Sequence, residues 1–336
     1  GVYDFRILSN VIPVSHVKDT ELIILKRNHP ADMVRLEAAG NEAQIELVRS
    51  FRKELFFNRQ DCSLDWITLF INTFSPASYV FLCSLPYADL LTDQLQKAEG
   101  KDILKRDIVG MDFTAWVYDL YRPHEPYGNR GMHPSGVGIN RYIKRSQLTS
   151  EEKDYLQLQG ILAWLNLINP QLIMKNRFSG TNPLTHAPFF WNAALVHELT
   201  PFGFTVDCDI MATTGKTNIA ATLHSYFSRH RWYPGAAVEI DDIPLSLSGA
   251  RQVFPRLYLS GKIEGWFQPK NQLFDEGSAQ AGGALTLCLK AGITKHLLLS
   301  AAASGKTQGW EAGQVFLERQ FGITLGLSVW LPNRFP

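Results

Sequence analysis

Apolar and polar residues alternate, strand after strand, from Phe202 to Leu331. In the first such run Phe202, Phe204, Val206, Cys208, Ile210 and Ala212 fall on one side, and Gly203, Thr205, Asp207, Asp209 and Thr213 on the other. Side chains of an extended chain change face at every residue, so a period of two predicts a sheet with one greasy and one wet face. Residues 189–198 and 202–213 read as the first strands. A tight turn at Gly215 and Lys216 leads into 218–227. Further strands are expected at 237–241, 256–267, 279–291, 296–304 and 319–331, with a glycine-rich loop through Gly305, Gly309 and Gly313 before the last. Strands of nine to thirteen residues, joined by short turns and longer loops in alternation, suit an antiparallel up-and-down barrel with the length of a tilted membrane-spanning strand.

The texture up to about residue 150 is different. Met33, Leu36, Gly40, Ala43, Leu47, Phe51 and Leu55 recur at steps of three and four, which predicts one amphipathic helix over residues 32–57 behind Pro30. Residues 66–88 carry no charge and are long enough to span a bilayer, but Asn72, Ser75, Pro76, Ser84 and Pro86 interrupt them. With Ser75 as N-cap and Pro76 at the first helical position, a strand or turn followed by a buried helix is expected there. Residues 110–121 are ambiguous between helix and strand, and residues 122–141 read as loop. Thr149 with Glu152 forms a capping box for a helix ahead of Gly160. The division is an N-terminal helical or irregular portion, 1–150, acting as plug or cap, and a β-barrel portion, 151–336: an α+β chain.

Composition tilts the setting toward a membrane. The 33 basic and 32 acidic residues balance, which excludes a basic field for nucleic acid. Charged residues at 19% are scarce and aromatic residues at 12% abundant, as expected where half of each strand faces lipid. The wet face mixes Asp207, Asp209, Glu239, Arg256, Lys262, Glu264 and Lys290, a set able to pair within a lumen or with a plug. Cys62, Cys83, Cys208 and Cys288 show no metal-ligand or redox spacing and read as small side chains, the last two on opposite faces of their strands. The chain starts at Gly1 with no leader, which fits a removed signal peptide or a fragment. The final strand, with every second residue apolar, resembles the closing strand of bacterial outer-membrane β-barrel proteins, although Asn333, Arg334, Phe335 and Pro336 follow it. That resemblance covers about residues 187–331 and implies residence in the outer membrane, with lipid and other outer-membrane subunits as partners.

Candidate chemistry lies in two places. The loop 123–142 gathers His124, Glu125, Asn129, Arg130, His133, Ser135, Asn140 and Arg141 between glycines, a make of loop that aims side chains and backbone N–H groups at a ligand. His133 and Ser135, two apart, resemble the histidine and serine pair of outer-membrane phospholipases, which implies a nucleophile and its base; Pro134 between them fits a central strand poorly. On the wet face Asp207, Asp209, His224 and Glu239 form a second cluster suited to general-base or cation chemistry. His124, Glu125 and His133 match no zinc spacing, so no metal or cofactor is expected. Residues 37–43 resemble the glutamate-bearing helix of some metallopeptidases, with Glu42 in the ligand position. The partner motif H-E-x-x-H is absent (His197 and Glu198 are followed by Leu199 and Thr200), and Gly40 reads as a packing glycine. Gly305, Lys306 and Thr307 read as a hairpin loop and not a phosphate loop.

The expected function is a structural, pore-like or assembly-component role in the bacterial outer membrane. The alternatives are a membrane-embedded hydrolase of lipid or peptide using the 124–141 loop, a degenerate or truncated metallopeptidase relative, and a soluble α+β binding protein.

Overall fold

A computed structural model describes residues 2–3, 14–57, 63–181, 188–215, 217–245, 256–294 and 297–329. Cys62, Lys216, His296 and the tail 330–336, on which expectations rested, lie outside the described residues. The chain is α+β: helices come first, then a nine-stranded antiparallel sheet.

β1 (Val2–Tyr3) pairs with β2 (Val14–Ser15) ahead of six helices, α1 (Asp19–Asn28), α2 (Pro30–Phe57), α3 (Ser63–Ser84), α4 (Tyr87–Ala98), α5 (Asp112–Tyr121) and α6 (Ser150–Leu162). The large sheet runs β3 (Phe178–Thr181), β4 (Pro188–Thr200), β5 (Gly203–Thr214), β6 (Thr217–Ser228), β7 (Arg231–Pro244), β8 (Arg256–Pro269), β9 (Ala279–Gly292), β10 (Leu297–Lys306) and β11 (Gln320–Val329). Each strand pairs with its sequence neighbour, so the order is an up-and-down meander.

The expected barrel is not closed among the described residues. β3 and β11 are the two ends of the ladder and do not pair with each other. The physical reason is visible at β4: β3 covers only Pro188 to Trp191, and helical-half residues take over the rest of that edge. Asn166 mimics a neighbouring strand there, its Oδ1 accepting from His197 N at 2.6 Å and its Nδ2 donating to His197 O at 3.0 Å. Asn192 Nδ2 and Trp116 Nε1 bind further carbonyls, those of Lys175, Asn176 and Thr200. β7 is longer than residues 237–241 suggested, and Gly305 and Lys306 end β10 instead of forming a loop.

α2 forms where periodicity put it, but its buried side differs. Gly40, Ala43 and Leu47 are exposed, whereas Val34, Ala38, Ile45, Val48 and Leu55 are buried together with Arg35, Glu42 and Arg52. The stripe of apolar spacing is misleading because this helix has a polar partner, so charged residues are buried too. Gly40 is no packing glycine: a Cβ there would meet nothing within 4 Å. That role falls to Gly160, where a Cβ would lie 2.8 Å from Ser84 Oγ and 3.1 Å from Phe81 Cα.

α3 corrects the expected break at Ser75 and Pro76, because the helix runs through both. Pro76 removes one in-helix donor. Ala77, Val80 and Cys83 are nevertheless packed into the main core with α5 and α6, which offsets that loss. Among the described residues α3 is the one helix with the length and apolarity to cross a membrane, over Asp65–Ser84. The ambiguous segment becomes α5, buried from Phe113 to Leu120. The capping box of α6 is present: Thr149 Oγ1 accepts from Glu152 N at 3.3 Å and Glu152 Oε2 accepts from Thr149 N at 2.7 Å.

Candidate functional site

Directly opposed residues share a face of a sheet, so register sorts every strand side chain. Asp207 opposes His224 and Val196, and Glu239 opposes Lys262 and Ala220. These residues belong to one face, on which lie Asp207, Asp209, His224, Glu239, Lys262, Glu264 and Lys290. The other face carries Val206, Cys208, Ile210, Leu223, Val238, Ile263, Leu285, Leu287, Leu299, Ile323, Leu325 and their register partners. Among the described residues no Asp, Glu, Lys or Arg shares that second face from β4 to β11. Exposure then decides which face is inside. α2 covers the charged face at β4 to β7. The apolar face packs against α5 and α6 at its β4–β5 corner, where Leu199 and Phe204 are buried, and is open farther along: Ile263 is 63% exposed, Ile323 70% and Leu325 80%. The sheet is inside out relative to a soluble sandwich, whose apolar face forms the core.

α2 supplies the partners of the polar face. Arg49 Nη1 donates to Glu198 Oε2 at 2.9 Å, its Nη2 reaches Asp207 Oδ2 and its Nε Asp209 Oδ2 at 3.4 Å. Arg52 Nη1 donates to Asp209 Oδ2 at 2.9 Å, and Lys53 pairs with Glu239. His224 Nδ1 lies 3.1 Å from Asp207 Oδ1, and its Nε2 3.6 Å from Glu264 Oε1. Lys262 bridges Glu264 and Glu311 at 2.6 and 3.2 Å. Between helix and strands remains a cavity of about 90 Å³ lined by Arg49, Arg52, Asp209, His224, Glu239 and Lys262 among others, room for several waters. The β10–β11 loop clamps the other half of the helix. Trp310 Nε1 donates to Glu42 Oε2 at 3.2 Å, Gly313 N to Glu42 Oε1 at 2.9 Å, and Arg35 holds both Glu42 and the Gln314 carbonyl.

The structure thus brings together Asp207, Asp209 and His224, with Glu239 lining the same cavity. The loop candidates sit elsewhere, in the helical half. Arg130 is buried and donates to Glu37 at 2.8 Å and Asp119 at 2.6 Å. Arg141, fully buried, donates to Asp19 Oδ1 at 2.9 Å and to the Val17 carbonyl. Asn140 accepts from Gln96 Nε2 at 2.7 Å, and Glu125 accepts from the Tyr118 hydroxyl at 2.9 Å. His124 is exposed. These hydrogen bonds hold the loop to the helices. His133 and Ser135 meet at 3.0 Å. His124, Glu125 and His133 form no metal-spaced group; among the described residues the one such group is His29, Asp32 and Glu318, at the surface.

Sequence reasoning missed Arg49, Arg52, Lys53 and Glu198, which complete the polar network, and Glu99 and Arg106, which surround His133. A signal for Arg49 and Lys53 exists in Glu42, Glu46, Arg49 and Lys53, a charged stripe at helical spacing beside the apolar one. Comparison with protein-family models, with curated proteins and with solved structures finds no match.

Proposed function

We propose that this chain is an integral membrane protein of the outer-membrane type, with a structural, plugged-pore or assembly role. The nine-stranded sheet is a lipid-facing wall, and α2 is the plug seated on its polar side. One observation carries the reading: from β6 to β11 the apolar side chains of one face are exposed, while the charges of the other face meet α2 and one another. A soluble domain rarely exposes an apolar patch above a few hundred Å². The open part of this face extends from β6 to β11. Its height also fits. Leu257 to Phe267 on β8 covers ten steps, about 33 Å along the strand, or about 25 Å in projection at a tilt of ~40°, the height of an apolar membrane band. Trp232, Phe267 and Phe321, all exposed, gather toward one end of the sheet, as interface aromatics do. Exposed Ile67, Phe70, Ile71 and Phe74 of α3 extend the apolar surface onto the helical half.

Fractionation tests it. The expected result is that the full chain stays with membranes through an alkaline wash and leaves them only in detergent. Recovery as a monodisperse species in plain buffer overturns the reading in favour of a soluble binding protein.

The wall also has an end that supports an assembly role. Among the described residues β11 pairs on one side only, and it contains neither charge nor proline, so it lacks the usual protections of an edge strand. β11 is therefore where the wall continues, onto a strand of another subunit.

A further inference from the structure

The turn that carries His133 and Ser135 is held rigidly. Met132 and Ile139 form an antiparallel bridge, His133 N donates to Gly138 O at 3.0 Å, and Gly136 N donates to His133 O at 2.9 Å. Gly136 and Gly138 have φ of 78° and 72°, the left-handed region that a side chain disfavours. Ser135 sits at the tip, flanked by exposed Met132 and Val137, while His133 is buried beneath it.

Donor accounting places each proton. Ser135 N donates to His133 Nδ1 at 3.2 Å, and a backbone N–H can only donate, so Nδ1 is the unprotonated ring nitrogen. The ring proton of the neutral imidazole is therefore on Nε2, 3.3 Å from Glu99 Oε2. Glu99 Oε1 is already occupied, accepting from the Tyr142 hydroxyl at 2.8 Å and from Asp107 N at 2.9 Å, whereas Oε2 and His133 Nε2 are both buried without a hydrogen-bond partner and face each other off the hydrogen-bond line. Arg106 Nη2 donates to Ser135 Oγ at 2.9 Å, and a guanidinium accepts nothing. The hydroxyl proton of Ser135 accordingly points at Nδ1, 3.0 Å away. Serine and histidine are hydrogen-bonded, the carboxylate stands within a small rotation of the far ring nitrogen, and a cation lies beside the serine oxygen.

We propose that Ser135 is a nucleophile activated by His133, with Glu99 as the positioning carboxylate, and that the site cleaves carboxylic esters bearing an apolar acyl group, for which Met132 and Val137 provide the contact. Oγ attacks the carbonyl carbon as its proton passes to Nδ1. The tetrahedral adduct collapses with cleavage of the ester C–O bond, and the Nδ1 proton leaves with the alcohol. Water then releases the acid by the same route. The Arg106 guanidinium is the charge that opposes negative charge developing near Oγ. Burial, then Arg106 and Arg141, push His133 below its ordinary 6.5, with Asp19 opposing, so the base is neutral at pH 7. The inference does not depend on membrane residence.

The full chain, in detergent or in buffer as its fractionation dictates, is treated with a fluorophosphonate probe and mapped by peptide mass spectrometry. The expected result is one adduct on Ser135, with hydrolysis of p-nitrophenyl butyrate lost at least about 100-fold in Ser135→Ala. His133→Asn keeps an acceptor for Ser135 N but no base. It retains the wild-type circular dichroism and loses labelling to the same extent. Glu99→Gln lowers the rate roughly 10-fold and moves the acid limb of the pH–rate profile further down, which a purely structural carboxylate would not do. Absence of an Ser135 adduct in the folded wild-type protein overturns the proposal, as does undiminished labelling in folded His133→Asn.

Discussion

Single residues in this fold are set by their burial partners more than by their own polarity. Arg49 is 11% exposed at its side chain and faces three strand carboxylates, Glu198, Asp207 and Asp209. Truncating one side of a buried ionic network strands the other charges. Arg49→Ala is therefore expected to cost about 3–5 kcal/mol in denaturant unfolding, and Arg49→Lys, which keeps the charge but loses the fork, a smaller amount. A second buried set, Lys26, Glu37, Asp119 and Arg130, ties α1, α2 and α5 to the loop. Burial, then Asp119, push Glu37 well above 4.5, so the folded state keeps a proton that the unfolded chain releases. Its contribution is present below pH 4.5 and is lost as pH rises through the folded value. Glu37→Gln should thus flatten the fall of Tm above pH 4.5, whereas Asp119→Asn should lower Tm at every neutral pH. A Glu37→Gln profile parallel to wild type would sink the assignment. Little of this was legible in the sequence. Arg49 and Asp207 are far apart along the chain, and neither residue advertises the other. His133 and Ser135 were readable as a pair because they are two apart; Glu99 and Arg106 were not.

Elements were more legible, for a physical reason: period two is a strong local signal, and it located seven strands of the sheet close to their observed ends. β3 escaped because four residues are too few to show alternation. α2 was legible in extent and misjudged in face, since apolar spacing cannot report a helix whose partner is polar. α3 was misjudged at Pro76, where tertiary packing outweighs a local breaker. The strand faces also yield a prediction that separates lipid from water. Ile263 on β8 is 63% exposed on the apolar side. Facing lipid, Ile263→Lys should destabilise the chain in bilayers by about 2–4 kcal/mol near mid-membrane, declining toward the strand ends. Facing water, the same change should fall within about 0.5 kcal/mol of zero and improve solubility. Equilibrium unfolding from vesicles and from buffer distinguishes the two.

At the scale of the whole molecule the two edges of the sheet are treated oppositely, and that asymmetry bears on assembly. The β4 edge is covered by β3 and by Asn166 and Trp116, and Asn192 of β4 itself reaches out to the Lys175 carbonyl. The β11 edge carries Phe321, Ile323, Leu325 and Leu327 on its apolar side, with Gly322, Thr324, Gly326 and Ser328 opposite them. Such a strand is self-complementary when antiparallel. With Thr324 facing its own copy, Ile323 opposes Leu325 and Phe321 opposes Leu327, so both faces continue across the junction without a polarity mismatch. A second copy added there would extend the apolar face, whereas a one-residue slip would put apolar side chains on the charged side. Thr324→Cys should accordingly form a disulfide-linked dimer under mild oxidation in detergent or bilayers, and Ile323→Cys should do so far less because its own copy lies two positions away. If Thr324→Cys remains monomeric while a different chain copurifies and cross-links to it, the strand that completes the edge belongs to another protein. If nothing cross-links and β11 amides exchange rapidly, the edge is simply open, and the assembly role proposed for it fails.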